Sequence, residues 1–163
     1  MSPWAEASRR FAQAAKGEVI LIVGSGTDKD TLEGKGGNDT YYFFPNEGSD
    51  TVIDSGGEYD TLYFGEDITI DHLTATASEN SNDLIINVKD KGTMITIKDW
   101  CTKDNRIEKF IFEDKTLTDH EIIGYMGTDE VDYIKGTEGQ NKLEGKGGAD
   151  ILEGAAGNDL YIV

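Results

Sequence analysis

Apolar side chains recur along this chain in two rhythms. Near the C-terminus four nine-residue units follow one another without a gap: Gly127-Thr-Asp-Glu-Val-Asp132-Tyr-Ile134-Lys, Gly136-Thr-Glu-Gly-Gln-Asn141-Lys-Leu143-Glu, Gly145-Lys-Gly-Gly-Ala-Asp150-Ile-Leu152-Glu and Gly154-Ala-Ala-Gly-Asn-Asp159-Leu-Tyr161-Ile. Position one is Gly, position six is Asp or Asn, and position eight is large and apolar. A looser set lies earlier, with Asp30 before Leu32, Asp39 before Tyr41, Asp50 before Val52 and Asp60 before Leu62. Between the two sets the rhythm changes to β-branched runs at Asp67–Ile70, Asp83–Val88, Thr93–Ile97 and Ile107–Phe112. Asp90-Lys-Gly92 predicts a hairpin turn between two of them, and Glu113-Asp-Lys115 a polar turn after the last. Thr118 with Glu121 is a capping box that opens a short helix through Ile123.

Each nonapeptide carries its own folding instruction. Six residues rich in Gly, Asn and Asp form a turn, because Gly reaches positive φ freely and Asx side chains bond the local backbone. The three that follow make a short strand whose middle side chain faces inward. Turn and strand repeated at fixed length wind a solenoid, in which each unit buries its apolar residue only against its neighbours. Stacking also brings position-six carboxylates together, where they repel unless a cation lies between them. A hard cation with six or more oxygen ligands meets that need, and Ca²⁺ tolerates irregular cages better than Mg²⁺.

Charge and composition narrow the function. The 163 residues carry 32 Asp+Glu against 15 Lys+Arg, a formal charge of −17, which argues against binding nucleic acid or an anionic membrane. No apolar run reaches the roughly 18 residues of a transmembrane helix. Residues 1–16 have no apolar core of the kind a secretory signal needs. Cys101 is the sole cysteine, which excludes an internal disulfide and a cysteine-built zinc site. His72 and His120 read as surface or strand-end residues, and Trp100 as core of the middle segment, an exposed aromatic there being able to meet a sugar. Acidic pairs on an open solenoid lack the pocket that a glycosidase needs, and no Gly-x-Ser-x-Gly elbow occurs. The chain reads as a non-enzyme.

The four tandem units and the four looser ones resemble the repeats-in-toxin (RTX) calcium-binding nonapeptide, G-G-x-G-x-D-x-U-x. The stretch with "DLIINV", Thr93–Trp100 and "RIEKFIFEDKTLT" at 106–118 resembles the haemolysin-type calcium-binding-related segment found beside such repeats, although Cys101 stands where that family has a large apolar residue. The resemblance implies an all-β fold: a parallel β-roll in two blocks, residues 18–64 and 127–163, flanking a small β-rich segment at 65–126. Residues 1–17 read either as a short amphipathic helix that covers the first coil or as a remnant of a larger protein.

The resemblance also implies that Ca²⁺ lies between position-six side chains of alternate repeats, pairing Asp30 with Asp50, Asp39 with Asp60, Asp132 with Asp150 and Asn141 with Asp159. Turn carbonyls of Gly34, Gly36, Gly37, Gly127, Gly136, Gly145, Gly147 and Gly154 complete the cages. The function so implied is a calcium-binding module of a secreted bacterial protein, toxin-associated by family. It would pass the type I secretion machinery unfolded and fold outside on several calcium ions. The alternative is a calcium-dependent adhesion module for a host-surface glycan or receptor.

Overall fold

The computed structural model describes residues 21–23, 26–77 and 81–163; the helix expected over 1–17 lies outside them. The described chain is all-β. Its strands are β1 (Leu21–Val23), β2 (Thr31–Lys35), β3 (Thr40–Phe43), β4 (Gly48–Asp54), β5 (Thr61–Phe64), β6 (Leu73–Ala77), β7 (Leu84–Val88), β8 (Thr93–Ile97), β9 (Lys109–Ile111), β10 (Thr116–Thr118), β11 (Tyr133–Lys135), β12 (Lys142–Glu144), β13 (Ile151–Glu153) and β14 (Leu160–Ile162). The α-helix α1 spans only Asp119–Ile123, with Thr118 Oγ1 accepting from Glu121 N and Glu121 Oε2 from Thr118 N, as the capping box predicts.

Alternate repeat strands pair side by side and parallel. β3 joins β1 to β5, β2 pairs with β4, β11 with β13 and β12 with β14. The register places Leu32 beside Val52, Tyr41 beside Leu62, Ile134 beside Leu152 and Leu143 beside Tyr161, so position eight meets position eight. Leu32, Tyr41, Val52, Leu62, Ile134 and Leu143 are fully buried. Tyr161, on the last strand, is half exposed.

The middle segment continues the same sheets as the first repeats. β8 lies parallel to β4 and antiparallel to β7, which pairs with β6; β9 lies parallel to β5 and antiparallel to β10. Two mixed five-stranded sheets result, ordered β1-β3-β5-β9-β10 and β2-β4-β8-β7-β6, beside two two-stranded sheets. The hairpin at 90–92 is present, with Gly92 at φ +64°. Trp100 is fully buried, donates from Nε1 to the Ile107 carbonyl and packs edge-on to Phe110. It therefore offers nothing to a sugar.

Two expectations are corrected. Asp67–Ile70 is not a strand but a turn leading into a 3₁₀ turn at Ile70–His72. Asp67 takes φ +69° and Thr69 N donates to His72 Nδ1, local bonds that compete with a ladder. The strand is instead Leu73–Ala77, and the one expected over Ile107–Phe112 shrinks to β9.

Candidate metal centre

The repeat turns place every predicted position-six pair in contact. Asp30 N donates to Asp50 Oδ1 (2.9 Å), Asp39 N to Asp60 Oδ1 (2.7 Å), Asp132 N to Asp150 Oδ1 (3.0 Å) and Asn141 N to Asp159 Oδ1 (3.0 Å). One geometry thus recurs four times. It follows from the parallel register, which sets each turn directly beside the turn two repeats on. Asp30, Asp39, Asp50, Asp60, Asp132 and Asn141 are buried, while Asp150 and Asp159 are partly exposed near the end of the described chain.

The glycines explain how turns stack so closely. A Cβ at Gly145 would strike Asp150 Oδ2, and one at Gly154 would strike Asp159 Oδ2 and Tyr161 Oη. At Gly136 it would meet the Gly154 carbonyl, and at Gly127 the Glu144 carbonyl. Gly36 faces the Gly56 carbonyl across the stack, and Gly147 donates its N–H to the Thr128 carbonyl. At position four, Gly37, Gly139, Gly148 and Gly157 all take positive φ, from +109° to +145°. That conformation needs glycine.

The first block holds the densest charge. Oxygens of Asp39, Asp54 and Asp60 all lie within 4.8 Å of one another, and all three residues are buried. Asp54 stands outside the position-six series and was not among the expected ligands. Its Oδ2 accepts from the buried Tyr41 hydroxyl (2.5 Å) and its Oδ1 from Gly56 N (3.2 Å). Gly34 lines the same cradle, where a Cβ would meet Tyr41 Oη, Asp39 Oδ2 (2.6 Å) and Asp54 Oδ2 (2.9 Å). A Cβ at Gly57 would strike the Gly37 carbonyl and Asp60 Oδ2, so Gly37 oxygen and the Asp60 carboxylate face each other there.

In the Asp30–Asp50 pair, on the other sheet of the first block, Asp50 Oδ2 is buried without a hydrogen-bond partner, and Glu47 is buried with Oε2 accepting from Phe44 N. Among the described residues no salt bridge reaches Glu47, Asp50, Asp54 or Asp60. Burial raises all four: Glu47 to about 8, Asp60 to about 7, Asp50 to about 6, and Asp54 also upward. Neighbouring carboxylates add to the rise at Glu47, Asp50 and Asp60, while backbone N–H donors oppose it. Burial likewise lifts the Tyr41 phenol far above its ordinary range, with the Asp54 charge second.

Buried carboxylates without cationic partners are costly. A hard divalent ion supplies the missing charge and accepts carboxylate and carbonyl oxygens together. The residues present fit such an ion at two places: hard oxygens converge at Asp39, Asp54 and Asp60, and in the separate Asp30–Asp50 pair one carboxylate oxygen is orphaned. Cys101 and the histidines stand apart from this chemistry. Burial raises the Cys101 thiol, so it is a poor nucleophile, and His120 is exposed beside Asp119.

Strands that stack acidic turns into columns of carboxylate pairs define a calcium-binding repeat protein. The family comparisons agree. Residues 23–42 and 126–161 match the RTX calcium-binding nonapeptide repeat, in four copies, and residues 83–119 match the haemolysin-type calcium binding protein related domain. The chain carries RTX repeats on either side of that domain, and these repeats bind Ca²⁺. No curated protein matches the chain.

Proposed function

We propose that the chain is a structural calcium-binding module of a secreted protein, whose repeats wind into a parallel β-roll when Ca²⁺ fills the turn columns. The observation that carries this is the fourfold recurrence of the position-six contact, with an orphaned carboxylate oxygen at Asp50 and three converging carboxylates at Asp39, Asp54 and Asp60. Asp30 with Asp50, Asp39 with Asp54 and Asp60, and Asp132 with Asp150 hold the ions, aided by the turn carbonyls of Gly34, Gly36, Gly37, Gly127, Gly145 and Gly147.

Calcium supplies positive charge to oxygens that otherwise repel one another. The chain's own residues do the rest: glycine lets the turns stack, and position eight fills the interior. Binding to the native state alone adds folding free energy, about 2.7 kcal/mol for a site at 100 times its dissociation constant. Where calcium is scarce the acidic turns repel, which suits passage through type I secretion machinery. Where it is abundant they close. The described residues from Leu21 to Met126 fold as one unit through their shared sheets, and residues 127–163 add a second stack.

Far-UV circular dichroism and hydrodynamic radius, with and without calcium, test this reading. Chelation is expected to lower β content and expand the chain. An unchanged spectrum and radius in excess EGTA would overturn it.

A further inference from the structure

Two neighbouring repeats in the C-terminal block differ at position six by the exchange of a carboxylate for an amide, Asp132 in one and Asn141 in the other. In the first, Asp132 Oδ2 accepts from Thr128 N (2.6 Å) and Thr128 Oγ1 (2.8 Å). In the second, Asn141 Oδ1 accepts from Thr137 N (3.2 Å) and Thr137 Oγ1 (3.3 Å). Both backbones donate to the aspartate two repeats on, at 3.0 Å. The frames correspond, so Asn141 Nδ2 stands where Asp132 has its second oxygen.

That amide nitrogen is fully engaged. It donates to the Thr137 carbonyl (2.6 Å), the Gly139 carbonyl (3.0 Å) and Asp159 Oδ1 (3.2 Å). Two turn carbonyls and a position-six carboxylate are the oxygens a calcium ion would gather. Turning the amide over would leave its oxygen facing three acceptors with no donor among them, so the network fixes its orientation. Asn141 is buried and Thr137 fully so, which keeps water from substituting. An ion at this place would have to displace Nδ2 from all three oxygens.

We propose that the Asn141 amide takes the place of calcium between its repeat and that of Asp159, making this pair a metal-independent clasp while Asp132 with Asp150 takes an ion. The inference rests on the reading of position-six pairs as calcium sites. The clasp holds Lys142–Glu144 in register with Leu160–Ile162 at any calcium level. The next column over depends on the ion.

The test is calorimetric calcium titration of the full chain and its Asn141→Asp form, with side-chain amide NMR on the parent. Asn141→Asp is expected to bind one more ion per chain and to lose structure without calcium. In the parent, the Asn141 NH₂ pair is expected to exchange slowly both with and without calcium. Tighter binding at unchanged stoichiometry in the variant would overturn the proposal, because the site would then already be filled. So would a parent amide that loses protection when calcium is added, a reading that does not require the variant to fold. Failure of the broader reading is distinct: the parent would take up no calcium, while the amide's protection would still report the clasp.

Discussion

The backbone N–H of Asp60 donates to Glu108 Oε2 at 2.8 Å, repeating the bond that Asp39 N makes to Asp60 Oδ1 at 2.7 Å. Glu108 lies one residue before β9, and Thr61 pairs with Lys109 in parallel register. A glutamate from the middle segment thus occupies the place of the next position-six carboxylate. The column Asp39–Asp60 ends on it, and the segment is fastened to the repeats at the point where charge is densest.

Glu108→Ala therefore leaves Asp60 N without its acceptor and costs about 1–3 kcal/mol of calcium-loaded stability. Glu108→Gln keeps an acceptor oxygen and is expected to recover most of that loss. Thermal unfolding of both variants in saturating calcium checks this. Equal loss in the two would mean that the charge matters and the hydrogen bond does not.

Asp54 gives a separate prediction. Asp54→Asn keeps the shape and removes one of three formal charges around the Asp39–Asp60 site. Ligand charge count tunes calcium affinity over decades, so the affinity of that site is expected to fall about tenfold, with sites in the C-terminal block unchanged. Calorimetric titration resolves the two classes. Affinity unchanged in every class would remove Asp54 from the ligand set.

Glu108 and Asp54 also mark where the sequence stops being legible. The nine-residue period identifies a residue by its position, and it located all four position-six pairs and the buried position-eight row from Leu32 to Leu143. Asp54 sits just after a repeat strand and Glu108 in another segment, so no periodicity flags either. Both become visible only when parallel pairing folds the chain onto itself. The same limit applies to β6: Leu-Thr-Ala-Thr-Ala carries little apolar bulk, and its strand exists because β7 offers an edge. At Asn141 the residue type was legible, but the direction of its amide depends on carbonyls that only the folded turn aims.

The raised carboxylates fix a pH dependence. Asp50 and Asp60 sit near 6 and 7 in the fold against an ordinary 3.8, so the native state without metal binds more protons than the unfolded chain. Their contribution to stability is full below about pH 4 and is lost as pH rises through 6 and 7. Metal-free protein is expected to melt higher at pH 5 than at pH 8. Calcium competes with those protons, so its apparent affinity falls on acidification. Melting curves in EGTA at the two pH values decide it; a higher melting point at pH 8 would contradict the argument.

Sheet sharing leads to the last prediction. β4 and β5 of the first repeats pair directly with β8 and β9, whereas β11–β13 and β12–β14 form sheets of two strands each. Two-stranded sheets are marginal alone. The middle segment also holds most of the buried apolar core, including Leu84, Ile86, Ile95, Ile97, Trp100 and Phe110, none of which needs a metal. Without calcium, amides of residues 84–112 are therefore expected to stay better protected from exchange than those of 127–162. Within the latter, Lys142–Glu144 are expected to outlast Tyr133–Lys135, because a clasp of the kind proposed for Asn141 persists without the ion. Native-state hydrogen exchange in EGTA resolves these classes. Equal loss of protection from residue 84 to residue 162 would mean that calcium closes the whole described chain as one cooperative unit, and the apolar packing of the middle strands would then be insufficient by itself.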